Sequence, residues 1–236
     1  MTFRIAAVFA FVVAVAFAGD PPKGPSDKDA KERVEALKGA KDDASKKKAI
    51  ADAAKCPSAS VAEELGNITS ADDWESPLRI AAAEALGEMK GLSDAAKALA
   101  KGITANEKNP DVLKAIFRAM GKVGSATAVP ALKDFASKRL PFKDEKASGD
   151  LVVASIQALS AIKSKASVEA LLSLKKIPTG DKSAPVSKPN TLVTNETIKG
   201  LKTLLAGLPD NFGGEEWIVW WNKNKETFND DLTPKK

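Results

Sequence analysis

Histidine and tyrosine are absent from the 236 residues, cysteine occurs once, and aromatic residues make up only 6%. Without histidine, neither Ser-His-Asp nor Cys-His catalysis can be assembled, and imidazole ligation of a metal is excluded. A single thiol, Cys56, rules out an intrachain disulfide and any Cys-x-x-Cys pair. No Walker loop, dinucleotide fingerprint, HExxH or GxSxG run occurs. Asp72-Asp73 and Glu63-Glu64 lie where helix capping and solvation account for them. Asp144-Glu145 and Asp230-Asp231 lack the alternating oxygen spacing of a calcium loop. The expectation is a protein that is not an enzyme and carries no cofactor and no metal.

Large charge of one sign is also missing. The formal charge is +5, with Lys and Arg interspersed among Asp and Glu. That mixture describes a solvated surface and does not favour a nucleic-acid partner. Hydrophobic residues make up 44% and charged residues 28%, an ordinary globular balance.

One apolar run stands apart, Ile5 to Ala18, preceded by Arg4 and closing on Ala16-Phe17-Ala18. A basic start, a short apolar stretch and a small-x-small end make up a secretory signal peptide, cleaved before Gly19. A membrane-spanning helix needs about 20 apolar residues, more than this run supplies. Residues 1–18 are therefore read as a signal peptide, the mature chain as exported to a periplasmic or extracellular location, and no membrane span is expected after cleavage. Removing Arg4, the only charge in that segment, leaves +4. Cys56, beside Pro57, then reads as a small buried apolar residue; the rival readings are a free thiol or an intermolecular disulfide.

Residues 19–57 form a linker and helical cap. Ser26 is placed to cap a helix from about Asp27 to Lys38, with Asp29 three residues on. A second helix spans about Asp42 to Lys55 and stops before Pro57. Whether these two helices are a divergent repeat or a cap stays open. From Ser58 to Leu208 two registers recur. Leucines mark one of them, at Leu65, Leu99, Leu132 and Leu171, with steps of 34, 33 and 39 residues. The other is marked by Gly87, Gly121, Ser160 and Ala206, with steps of 34, 39 and 46. Its clearest copy is Leu78 to Met89, where Leu78, Ala82, Leu86 and Met89 make an apolar helical stripe. Alanine on such faces allows close helix approach, and the glycines permit backbones to cross closely. A doubled register at this period predicts about four stacked helix pairs, each unable to bury its faces alone.

The segment Leu78-Arg79…Ala82-Ala83…Ala85-Leu86-Gly87…Met89 resembles the second helix of a HEAT repeat, of the armadillo-like type that also groups with bilin-lyase-like HEAT repeats. Pro130, early in a first helix, fits the same pattern. The likeness fades along the chain, where Leu113, Val152 and Ile198 replace Arg79. The resemblance implies an all-α fold, a right-handed α-solenoid of antiparallel helix pairs. It implies that second helices line a concave binding face, and it points to an exported bacterial scaffold. A lyase-type activity is the family's enzymatic alternative; the missing histidine and single thiol give it little.

Two insertions interrupt the spacing, Lys138 to Ser148 and Lys176 to Leu192. Residues 209–236 hold Trp217, Trp220 and Trp221 on one helical face, read as a cap over the last repeat; the rival is an aromatic platform for a glycan or peptide. Trp74 is either a lid on the first pair or an exposed anchor. Lys114, Arg118 and Lys122 form a basic stripe whose aligned column one repeat earlier reads Ile80, Glu84, Glu88. Lys199 and Lys202 add positive charge further on. The function expected is protein–protein interaction through the concave face, with these five cations and Trp74 as candidate binding residues. The alternative is binding of an anionic or glycan polymer through the basic stripe and tryptophans.

Overall fold

The computed structural model describes residues 25–140, 146–175, 191–205 and 216–235. The expected signal peptide, Ala206, residues 141–145 of the first insertion and 176–190 of the second lie outside the described residues.

Helix signals act where the local chemistry places them. Ser26 and Asp29 form a reciprocal capping box that starts α1 (Asp27–Gly39). Asp42 accepts the Ser45 N–H at the start of α2 (Asp43–Ala53). Ser58 does the same for Val61 in α3 (Ala59–Ser70). Proline occupies the first turn of α4 (Ser76–Gly87), where its missing N–H costs nothing. α5 (Ser93–Ala105) is followed by Asn109, which accepts the Val112 N–H and opens α6 (Pro110–Val123). Gly124, at φ 69°, ends α6 in the left-handed region that suits glycine. A short 3-10 turn, Ala126–Ala128, leads to α7 (Val129–Arg139), which carries Pro130 in its first turn. α8 (Lys146–Ala161), α9 (Lys165–Lys175), α10 (Thr191–Leu204) and α11 (Glu216–Asn224) complete the described helices.

The helices pair as α3/α4, α5/α6, α7/α8 and α9/α10, and the pairs stack into two layers. The α1/α2 pair extends both layers, α1 lying on α3 and α2 on α4. Second helices pack directly on one another from α2 through α4, α6 and α8 to α10. In the other layer α3 packs on α5 and α7 on α9, while the 3-10 turn bridges α5 and α7. The architecture is an all-α solenoid.

A contiguous apolar core runs through the array from Ala30 to Trp221. Leu65, Leu99, Leu132 and Leu171, the marker residues of the first-helix register, are all fully buried. So are Leu78, Ala82, Leu86 and Met89 of the α4 stripe. Burying a leucine contributes about 1.5–3 kcal/mol, so the repeated pattern accounts for why stacking stabilises the array. Glycine sets how closely the helices approach. A Cβ on Gly87 would lie 3.1 Å from Ala119 Cα, and one on Gly121 3.2 Å from Ala161 Cβ.

The C-terminal end is closed by aromatics. Trp217 and Trp221 are buried in the same core, and Trp221 stacks on Phe228 with ring centroids 6.2 Å apart. The turn beyond α11 folds back so that Asp230 C=O accepts the Lys165 N–H at the start of α9, at 2.8 Å. Trp220 is partly buried, so the three tryptophans do not form one exposed platform. No described helix is long and apolar enough to cross a membrane.

Candidate interaction surface

The second-helix layer places the candidate cations. On α6 the helical repeat turns Lys114, Arg118 and Lys122 to one side, while Val112, Ile116, Phe117 and Met120 go into the core. α10 carries Lys199, exposed, and Lys202, half-buried. They line a separate open depression with Asn195, Ile198 and Thr203.

The α6 cations meet carboxylates from both neighbouring helices. Lys122 Nζ lies 3.1 Å from Glu88, the C-terminal cap of α4, and Arg118 4.0 Å from Glu84 of α4. Lys114 lies 3.9 Å from Asp150 on α8. One step further, Gln157 of α8 donates to Glu196 of α10 at 3.3 Å. The acidic column of the first pair and the basic column of the second are therefore adjacent rows whose charges meet laterally. These are solvent-exposed pairs, a class worth about 0–1 kcal/mol.

Between α6 and α8 lies a cleft of about 520 Å³. The α6 wall is Lys114, Arg118 and Lys122; the other wall holds Asp150 and Gln157. Its floor is Gly121 with Val153, Ala154, Ala158 and Ala161. The volume falls within the range of about 300–1,000 Å³ usual for ligand sites. The lining has no convergent set of catalytic groups, and its chemistry is that of a surface offering charge above an apolar floor.

Trp74 is elsewhere. It follows α3, is half-buried against the core, and Lys46 Nζ of α2 sits 4.8 Å from its ring centroid. It lines no part of the α6–α8 cleft.

A buried polar hub fixes the first two pairs. Asn106, 1% exposed, donates through Nδ2 to the carbonyls of Thr69 and Gly102, at 2.9 and 2.8 Å. Its Oδ1 accepts from Arg79 Nη1 at 3.0 Å. Arg79 also reaches Asp72 at 3.7 Å, and Ser76 accepts from Asn109 at 2.7 Å. Arg79 thus reaches from the start of α4 to the end of α5. Sequence reasoning did not single out Asn106; a lone asparagine after a helix gives no sign of which carbonyls it will reach.

Titration shifts lie away from the cleft. Hydrogen bonds from Ser26 hold Asp29 below the usual aspartate value of 3.8, and Ser45 does the same for Asp42. Lys55 and Lys48 lower Asp52, and Thr233 lowers Asp231. Burial pushes the Cys56 thiol up, which disfavours the reactive thiolate. Among the described residues no cluster of three or more potential ligands could hold a metal ion.

Residues 71–147 match the family model described as HEAT repeats. The matched stretch runs from just before α4 to the start of α8 and includes Arg79, Gly87, the basic α6 and Pro130. No curated protein matches the chain.

Proposed function

We propose, for a chain that carries HEAT repeats, that it is an exported, non-enzymatic scaffold binding a protein partner through its second-helix face. HEAT repeats generally serve protein interaction, and stacked repeats offer extended surfaces for it. The observation that carries the reading is the uninterrupted run of second helices from α2 to α10, with cations above an apolar cleft near its middle. The tighter packing of this layer supports placing it on the concave side. The signal-type N-terminus, Arg4 to Ala18, supports export.

The test is cross-linked capture from the envelope fraction of the source cell, using residues 19–236 as bait. A Lys114→Glu, Arg118→Glu, Lys122→Glu variant, checked for helicity by circular dichroism, runs beside it. One discrete partner, captured by the first bait and lost by the second, is the expected result. Hydrolase or lyase activity that tracks with the purified protein would overturn the non-enzymatic reading.

The second reading, an anionic polymer, draws support from Lys199 and Lys202, which line one open depression on α10 with Asn195 and Thr203. Burial of Trp217 and Trp221 removes most of its aromatic component. It predicts binding that weakens steeply with salt, because the Debye length is already about 8 Å at physiological ionic strength.

A further inference from the structure

The α6–α8 cleft has an asymmetry that narrows its occupant. Among the described residues, three cations stand on its α6 wall, against one carboxylate, Asp150, on the other. Glu84 and Glu88, which also approach these cations, belong to α4 on the opposite flank of α6. The three cations are spaced four residues apart, so they rise along α6 in steps of about 6 Å. Beneath them Gly121 brings the backbones together, leaving a shallow valley with Val153, Ala154 and Ala161 in its floor.

We propose that this valley docks one amphipathic α-helix of a partner protein, with Asp or Glu at every fourth residue over three turns. The carboxylates lie along Lys114, Arg118 and Lys122, and the partner's apolar stripe rests on Val153, Ala154 and Ala161. The inference rests on the reading of the second-helix face as the protein-binding surface.

The molecule contains the template for this contact. α4 presents Glu84 and Glu88, four residues apart, to Arg118 and Lys122, also four residues apart. Gly87 and Ala119 make the close crossing there. A docked acidic helix repeats that match on the exposed side of α6. The existing pairs do not block it. Arg118 is 66% exposed and sits 4.0 Å from Glu84, so a guanidinium with five N–H donors has capacity for a second carboxylate. Lys114 and Asp150 are similarly loose at 3.9 Å, and Lys122, held by Glu88 at 3.1 Å, still has two further ammonium N–H donors. The apolar floor selects a helix over a polyanion: a flexible anionic polymer satisfies the cations but covers none of Val153 or Ala154, whereas an amphipathic helix does both.

The test uses fluorescence anisotropy with residues 19–236 and three labelled probes. The first is a designed peptide of about five helical turns, with Glu at i, i+4 and i+8 beside a Leu/Ala stripe. Another has the same composition shuffled around the helix, and the third is polyglutamate of equal charge. Saturable binding of the first is expected, at least about tenfold tighter than either control. Ala154→Arg, which fills the valley while leaving all three cations in the sequence, is expected to weaken it at least about tenfold. Arg118→Gln, a gentler change than charge reversal, is expected to weaken it while circular dichroism is unchanged. Equal binding of the shuffled peptide or polyglutamate would overturn the proposal in favour of charge alone. Unchanged affinity in Ala154→Arg, or no saturable binding by the first probe, would also overturn it. A partner captured from the envelope and retained by Ala154→Arg would leave the scaffold reading standing while removing this valley as its site.

Discussion

The α6–α8 and α8–α10 junctions meet the same requirement, two helices held close enough to share a core, with the glycine on opposite partners. At the first, Gly121 of α6 faces Ala158 and Ala161 of α8. At the second, α8 supplies Ser160, and Gly200 of α10 makes the room; a Cβ there would overlap Ser160 Oγ and lie 3.2 Å from Leu171 Cδ1. Ser160 keeps its hydroxyl satisfied by donating to Ile156 C=O at 2.7 Å. What is retained along the array is therefore the combined volume of two facing surfaces. A motif followed down one helix decays, while the contact it serves persists.

The junctions also differ in what fixes them. Pairs one and two are tied by the Asn106–Arg79 hub, while the distal end relies on aromatic cover. The largest expected effect comes from breaking that cover. Trp217→Ala should cost about 3–5 kcal/mol, as for other fully buried aromatics. Hydrogen exchange should show α9 and α10 losing protection before α3 to α6, because repeats lose structure from an exposed end. Simultaneous loss everywhere would mean the two ends are not separable.

Next is the proximal hub. Asn106→Ala leaves two buried carbonyls, of Thr69 and Gly102, without that donor, and should cost about 1–3 kcal/mol in urea denaturation. Protection should fall first in α3 to α6, the reverse of the tryptophan variant.

The glycine exchange sharpens the comparison itself. Gly200→Ala gains helix propensity of about 1 kcal/mol but must displace Ser160, so it should be neutral or destabilising. Adding Ser160→Gly moves the glycine back to α8. The double variant should be more stable than Gly200→Ala alone, with a coupling of about 1 kcal/mol in a double-mutant cycle. Additive effects would refute the shared-volume account.

The smallest effect expected is with acid. Asp29, Asp42 and Asp52 all lie in or at the start of α1 and α2, and their folded pKa values are depressed. Their stabilising contribution is complete above the unfolded value of about 3.8 and is lost as pH falls through the lower folded values. Amide exchange should thus loosen α1 and α2 below pH about 4, earlier than α3 to α6.

Much of this architecture was legible in sequence, for a physical reason. Apolar periodicity is a property of one helix, so the leucines at 65, 99, 132 and 171 and the Leu78–Met89 stripe declare their burial without knowledge of any neighbour. Ser26 with Asp29, and Pro130, are equally local. Contacts between helices were less legible. Glu84 and Glu88 stand 34 residues before Arg118 and Lys122, one repeat apart. Their columns read as a charge step along a groove, and only the stacking offset shows that the rows touch. Transfer of the glycine from α8 to Gly200 was hidden for the same reason, since alignment to Gly87 follows a single face. Val153, Gln157 and Ala161 were legible as the column aligned with Lys114, Arg118 and Lys122 one repeat on; that this column and Ala154 line one cleft with those cations shows only when α6 and α8 are set side by side.

The fold-back of the last turn has a consequence for wear. Asp230 holds the first amide of α9, some sixty-five positions upstream, and Phe228 lies against Trp221. Proteolytic trimming of the segment after α11 meets exposed side chains first, at Thr233, Pro234 and Lys235. Once trimming reaches Asp230 and then Phe228, it unfastens the start of α9, in the preceding helix pair. The segment after α11 acts as the binding on a page of a book: short and at the margin, yet what keeps the preceding leaves in register.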